Sequence, residues 1–272
     1  MIFHTATPKA PLNSFVECFI FYSDYQPVHS IDRFLPDGNV EIIIDLTDAP
    51  KSIYDNLTLK EIQVCKGCWA SGVRTEPISI PSGAESTMFI IAFKRGMAYP
   101  FFPLPMNEIA DHVVQADVLW QEFFSDLRNA LLEQLTPTRR FAVAESFLER
   151  RFVRTLHVNE CVAHAVNRLV AHPSHTSMAS LSQEIGYSQK HFIQMFKQAV
   201  GVTPKAFHSI MRFQRSIQEI ERSRSLDWSH LALDAGYYDQ AHFIHDFKRF
   251  SGFTPDEYLS KKNGQLNYVP VR

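Results

Sequence analysis

The sequence predicts an α+β chain in which an N-terminal β-rich, barrel-like domain with trailing helices spans residues 1–155. A C-terminal all-α domain with two helix-turn-helix units follows over 156–272. Three observations predict this. Short β-branched and aromatic runs punctuated by Pro, Gly, Asn and Asp fill residues 10 to about 95, the apolar spacing becomes helical from about Pro105, and the last part of the chain repeats itself.

In the front part, the strand runs are Phe15 to Tyr22, Val40 to Leu46, Leu59 to Val64 and Ser86 to Phe93. Pro36-Asp37-Gly38-Asn39 predicts a hairpin or a tight connection, because Pro presets φ and Gly accepts a positive φ. Met97 to Pro103 is rich in aromatics and reads either as the lining of a small-molecule pocket or, the reading favoured for an aromatic cluster, as core. Leu119 to Leu135 and Phe141 to Leu156 carry apolar residues three and four apart, which predicts two amphipathic helices separated at Pro137. Their apolar faces either cover the sheet or pair with a second copy of the chain.

The longest apolar stretches, such as Met88 to Phe93, fall far short of the roughly 20 residues a membrane helix needs. The first residues, Met1-Ile2-Phe3-His4-Thr5, have neither a basic nor an apolar leader character. A cytoplasmic protein without a membrane partner is expected. The net charge of -2 is unevenly shared. From Leu156 onward 13 Lys and Arg face 10 Asp and Glu, a balance of +3, against 14 and 19 before it, a balance of -5; nine of the twelve histidines also lie beyond residue 155. So small an excess supplies weak non-specific attraction to a polyanion and leaves more to specific contacts.

Lys190 to Pro204 (KHFIQMFKQAVGVTP) aligns with Ala241 to Pro255 (AHFIHDFKRFSGFTP) at a constant offset of 51, which superposes His191 on His242, Phe196 on Phe247 and Gly201 on Gly252. Upstream, with a shift of one residue, Leu181, Ile185 and Gly186 match Leu231, Ala235 and Gly236. Each copy therefore holds an apolar first helix, a Gly suited to the left-handed conformation, an N-cap (Ser188 or Asp239) and a second helix. At about 100° per residue, Phe192, Met195 and Phe196 share one face of the first copy's second helix, and Phe243, Phe247 and Phe250 share one face of the second copy's. Gln189, Lys190, Gln194 and Lys197 turn outward from the first, and Gln240, Ala241, His245 and Lys248 from the second. Any surface helix has polar residues outside; two capped copies at a fixed spacing favour a pair of recognition helices, since Gln, Lys and His hydrogen-bond to base edges and small side chains permit close approach.

Gly236-Tyr237-Tyr238-Asp239-Gln240-Ala241-His242-Phe243, followed by Phe247-Lys248-Arg249-Phe250 and by Gly252 to Tyr258, resembles the DNA-binding signature of AraC/XylS-type regulators. The resemblance covers about 100 residues. It implies two helix-turn-helix units joined by a long helix, here about Pro204 to Arg222, that holds both recognition helices in successive major grooves about one helical turn, roughly 34 Å, apart. The base-reading positions it implies are Gln189, Lys190, Ile193 and Gln194 in the first unit and Gln240, Ala241, His242, Ile244 and His245 in the second. Lys197 and Lys248 would contact phosphates. Ser182 and Phe207 depart from the family pattern in the first unit, which marks the second as the closer match. More loosely, Leu12 to Tyr22, the Pro36-Asp37-Gly38 turn and Gly96 to Pro105 resemble the β-rich front domain of some of these regulators, implying a sensory or dimerising role. The partners implied are double-stranded DNA, a small-molecule effector, a second copy of the chain and RNA polymerase.

Other constellations point less far. Cys65-Lys66-Gly67-Cys68 has the spacing of half a zinc site or a redox pair, but Cys18, His29 and Cys161 show no partner spacing. A turn with two small, partly buried residues is the simpler reading. The cysteines are too scattered for the methyl-accepting DNA-repair proteins that join a zinc-cysteine domain to a similar helix-turn-helix. His172, His175, His191, His242 and His245 are accounted for without an ion, and no carboxylate pair, Ser/His/Asp ordering or phosphate loop accompanies them. Neither catalytic residues nor a metal or cofactor is expected. The competing class is a helical protein-interaction module without DNA recognition.

Overall fold

A computed structural model describes residues 1–152, 156–222 and 226–272. The front part is built of β1 (Ile2–Ala6), β2 (Val16–Ser23), β3 (Ile31–Phe34), β4 (Glu41–Asp45), β5 (Lys51–Tyr54), β6 (Glu61–Cys65), β7 (Cys68–Ser71), β8 (Ile78–Pro81), β9 (Met88–Phe93) and β10 (Val113–Gln115). They are followed by α1 (Ala116–Trp120), α2 (Phe123–Leu132) and α3 (Pro137–Phe152). The barrel-like expectation resolves into two open antiparallel sheets. One runs β1-β2-β9-β4-β7-β10; the other contains β3-β8-β5-β6.

Strand alternation gives the six-stranded sheet two different faces. Ile42 and Ile44 of β4 and Phe89 and Ile91 of β9 enter the main core, where α2 and α3 cover them through Phe124, Leu127, Leu131, Ala144 and Leu148, all fully buried. Phe141 of α3 stacks on Phe19 and packs against Phe89. The trailing helices thus cover the sheet, the first of the two readings open at the sequence level. The aromatic stretch is core as well: Phe101 packs against Phe15, Phe93 and Phe152, and its carbonyl accepts a hydrogen bond from Trp120 Nε1 at 2.8 Å. The first expected helix is divided at Gln121, whose φ is +54°, and Pro137 opens the second.

The opposite face, with Glu41, Ile43, Met88 and Ile90, looks toward the second sheet across a cavity of about 600 Å³. Cys65 lies with the apolar residues on this side and Cys68 in the main core, so the Cys-x-x-Cys residues serve two separate packing layers. Burial pushes their thiols up to about 11 and about 12, and Cys68 Sγ donates to Phe124 O at 3.3 Å. Neither is a ready thiolate. Among the described residues no three His, Cys, Asp or Glu side chains are grouped to hold a metal ion.

The C-terminal part comprises α4 (Glu160–Ala171), α5 (Met178–Ile185), α6 (Gln189–Val200), α7 (Pro204–Arg222), α8 (Trp228–Asp234), α9 (Gln240–Ser251) and α10 (Pro255–Lys261), and the chain ends in β11 (Tyr268–Pro270). None of the described helices is long and apolar enough to cross a membrane. The expected division between residues 155 and 156 borders residues 153–155, which lie outside the described residues. One feature of the range 156–272 departs from the helical expectation: β11 pairs antiparallel with β3 and becomes the edge of the front part's second sheet, Tyr268 opposite Phe34. Three residues with two β-formers and a Pro are too short a run to read as a strand without their partner.

The two parts meet at the Pro36-Asp37-Gly38-Asn39 turn. It is a tight connection between sheets rather than a hairpin, since β3 and β4 belong to different sheets. Asp37 Oδ1 accepts from Asn39 N at 2.9 Å and fixes the turn. Gly38 has φ +82°, and a Cβ there would stand 2.7 Å from Met211 Cε and 3.2 Å from Phe207 on α7. Gly38→Ala is therefore expected to destabilise the protein by about 1–2 kcal/mol through the left-handed backbone alone, and by more where Met211 cannot yield. Chemical denaturation of the two proteins checks this; a loss of no more than about 1–2 kcal/mol would mean that α7 does not press on the turn, and equal midpoints that the backbone there is unstrained as well.

Candidate nucleic-acid interface

Each helix-turn-helix is assembled by the local signals that its sequence carries. In the first, Ser177 caps α5, Gly186 ends it in the left-handed conformation at φ +73°, and Ser188 Oγ accepts from His191 N at 3.4 Å to start α6. In the second, Asp227 caps α8, Gly236 turns the chain at φ +81°, and Asp239 Oδ1 accepts from His242 N at 2.8 Å to start α9. Both caps expected from the sequence are present. Each satisfies one of the N–H groups that a helix start leaves unpaired.

The apolar faces bury Phe192, Phe196 and Val200 of α6, and Phe243, Phe247 and Phe250 of α9. Opposite them, Gln189, Lys190, Gln194 and Lys197 stand exposed on α6, and Ala241, His242, His245 and Lys248 on α9. The remaining three expected positions are half-covered. Ile193 is half-buried, Ile244 packs against the core, and Gln240 is half-buried with its Oε1 accepting from Ser229 Oγ of α8 at 2.9 Å. His242 is exposed yet engaged: its ring packs edge-on to Tyr237 at 5.3 Å, and its Nε2 lies 3.7 Å from Asp246 Oδ2. His245 makes no such contact, which leaves its ring the more available donor and acceptor on α9.

Two further groups of residues belong to these helix-turn-helix units. The first centres on Arg212 of α7. Its guanidinium lies over the Tyr237 ring at 4.7 Å, donates to Gly236 O at 2.9 Å and faces the buried Asp246 of α9 at 3.9 Å; Arg249 approaches the other Asp246 oxygen at 3.3 Å. This arrangement ties the turn and the recognition helix of the second unit to the linker. An Asp within an otherwise aromatic face, between Phe243 and Phe250, was the available signal, since a buried carboxylate requires partners. The second group is Tyr187 and Tyr238, equivalent at the offset of 51 and lying between the turn glycine and the cap. Tyr238 is 88% exposed and Tyr187 half that, so both present an aromatic ring beside the start of a recognition helix.

The units differ in how they are held. In the first, Glu184 of α5 pairs with His164 at 3.0 Å and Arg168 at 3.4 Å, and the His164 hydrogen bond holds its carboxyl below the usual carboxylate range. Its recognition helix also rests on the front part, with Gln198 Nε2 donating to Tyr99 Oη at 3.0 Å. In the second, Tyr258 stands where the first has Phe207; both are buried, and the Tyr258 hydroxyl donates to Glu221 Oε1 at 3.1 Å.

Comparison with known proteins gives one family match in each part of the chain. Residues 181–261 match a family described as a helix-turn-helix domain, and residues 4–115 match one described as a domain of unknown function (DUF6597). An uncharacterized HTH-type transcriptional regulator of Haemophilus influenzae is 24% identical over 119 residues, which are 44% of this chain and 40% of that protein, so the match spans well under half of the relative's length. Among solved structures, apo ToxT with a single substitution, from Vibrio cholerae, gives a TM-score of 0.48 at 13% identity, covering 89% of this chain and 97% of that one. A second ToxT structure from Vibrio cholerae gives 0.47 at 11% identity, covering 96% and 98%. Two glycine turns, two capped second helices and the family match fall on the same residues, and residues 181–261 of this chain form a helix-turn-helix domain.

Proposed function

We propose that the chain is a sequence-specific, DNA-binding transcription regulator that acts by binding rather than catalysis. Its domains are about 1–155, the sensory part, and about 156–272, the reading part, from which β11 returns to the front sheets. The observation that carries this reading is the pair of capped recognition helices, each with hydrogen-bonding side chains outward, joined through one buried helix. A helical protein-interaction module has no need of two such faces at a fixed separation. Double-stranded DNA is the partner, a small molecule in the inter-sheet cavity is the signal, and a second copy of the chain and RNA polymerase are the protein partners such a regulator engages in the cytoplasm.

Within the interface, Gln189, Lys190, Gln194, Ala241 and His245 are placed to read bases, and Lys197 and Lys248 to hold phosphates. Ile193 and Ile244 offer only part of an aliphatic surface, suited to a thymine methyl. Gln240 and His242, already engaged within the protein, serve chiefly to orient α9.

Selection from random duplexes followed by electrophoretic shift is expected to enrich one motif; enrichment of none would overturn the reading in favour of the interaction module. His245→Ala should relax the motif at one base pair at a cost of roughly 1–3 kcal/mol, whereas Lys248→Ala should weaken all duplexes alike and lower the salt slope by about 1. Unchanged affinity and motif in both variants would remove α9 from the interface. Asp246→Ala leaves Arg212 and Arg249 without their shared carboxylate and should cost about 1–3 kcal/mol of stability, with the second half-site of the motif lost before the first. A footprint that shortens from both ends equally would show that Asp246 does not position α9 in particular.

A further inference from the structure

The cavity between the sheets has a chemical character that specifies what fills it. At about 600 Å³ it suits a drug-sized molecule. Its walls are largely apolar and aromatic, with Tyr22, Tyr25, Phe34, Trp69 and Tyr268 among them. The charged side chains on its surface are Asp32, Glu41 and Lys51, and Met1, which carries the α-amino group, also lines it. Two of these are already balanced: Asp32 accepts from His29 Nε2 at 2.8 Å, and Lys51 Nζ lies 3.9 Å from Asp45 Oδ2. Glu41 is different. It occupies the cavity face of β4, beside Ile43, and no hydrogen bond or cation from the described residues reaches its carboxyl.

An unpartnered carboxyl among apolar walls is costly when ionised, and a cation compensates that cost most directly. Aromatic faces attract the same sign of charge. A carboxylate ligand would instead meet Glu41, with Asp37 nearby, and the one lysine is already turned to Asp45. The geometry points to a ligand with an apolar body and one positive charge: we propose that this cavity binds lipophilic monocations, with Glu41 as the counter-charge. The inference rests on the reading of the front part as a sensor and goes beyond it in naming the chemical class.

The ionisation of Glu41 makes the proposal pH-dependent. Burial and the nearby Asp37 raise its carboxyl to about 8, so it is neutral in the empty cavity at physiological pH. The other groups facing it are Met1 at the start of the chain, Tyr22 from β2, Tyr25 just after it, Asp32 with His29 at β3, Lys51 from β5, Cys65 from β6 and Tyr268 from β11. Tyr22, Cys65 and Tyr268 are all pushed upward by burial and stay protonated below pH 8. Binding a cation therefore expels the Glu41 proton. Affinity should rise about tenfold per pH unit below about pH 8 and level off above it.

Three probes with the same ten-carbon tail isolate the charge: decyltrimethylammonium, 1-decanol and decanoate, titrated calorimetrically into the full chain at concentrations below micelle formation and without DNA. The cation is expected to bind at least about tenfold more tightly than decanoate at pH 8. It should also release close to one proton at pH 7, read from two buffers of different ionisation enthalpy. Glu41→Gln should lose that proton release and about tenfold of the cation's affinity while leaving 1-decanol unchanged. Decanoate binding as well as the cation, no probe binding at all, or a folded Glu41→Gln variant with undiminished cation affinity would each overturn the proposal. Should the variant not fold, the wild-type comparison of cation with decanoate decides alone. Because DNA is absent, failure here leaves the DNA-reading proposal standing, and an empty motif selection leaves this one standing.

Discussion

In the middle of α7 the Gln214 side chain is buried, and its Nε2 donates to Pro36 O in the front part's turn and to Asn267 Oδ1 in the chain's final segment, both at 2.8 Å. That one amide joins three stretches of sequence at a point from which water is excluded. Removing it would strand a buried carbonyl and a buried side-chain amide, each a cost larger than the bond's net contribution. The surrounding helix follows the same logic. Phe207 packs against Phe196 of the first unit, Phe213 against Phe247 and Phe250 of the second, and Met211 onto Gly38. A helix committed on that many sides cannot rotate to suit one neighbour without disturbing the others, because packed interiors repack in discrete steps rather than deform smoothly. The separation of the two recognition helices is therefore a property of α7 and of everything docked to it.

The front part illustrates how one strand can serve two purposes. On β4 the even positions Ile42 and Ile44 are fully buried in a dry core under α2, and the odd positions Glu41 and Ile43 border a cavity. Period-two alternation makes this division automatic once the register with β9 and β7 is set. The helices could have covered only one face. The second sheet encloses the other but does not fill it, and its last strand is supplied by the far end of the chain.

How much of this was legible follows from the range of each interaction. Caps, turn glycines and the apolar faces of α6 and α9 are set within a few residues, so Ser188, Asp239, Gly186 and Gly236 are where the repeat places them. The longer strand runs were visible by composition; β3, β5, β7, β8 and β10 have only three or four residues each, too few to show an alternation without their partners. The PDG turn was recognisable as tight, but not as the meeting point with α7, because nothing local to Gly38 indicates Met211. The Arg212 and Asp246 arrangement was missed for a related reason. Both are charged residues on amphipathic helices, where the default reading is a solvated face, and only the three-dimensional packing shows Asp246 buried and Arg212 laid on Tyr237. Glu41 was hidden in the same way, inside a run that reads simply as a strand.

The tail after α10 gives the two parts a shared boundary. Gln265, Leu266 and Tyr268 line the cavity, while Asn267 between them bonds to Gln214 of α7. A turn at Leu266 and Asn267 lets one stretch of backbone face the cavity with some side chains and α7 with another. Asn267 itself holds φ +66°, a conformation that Asn tolerates better than most residues and that turns the chain just before the strand begins. Contiguity alone does not transmit a signal; a second arrangement of the segment is needed whose population a ligand can shift. The structure limits what that arrangement can be. Any displacement of Tyr268 that pulls on Asn267 must break or carry along the Gln214 bond, and α7 cannot follow without changing its contacts with Phe247 on one side and Phe196 on the other. A displacement carried through the Gln214 bond would therefore reach the contacts of α7 with both α6 and α9.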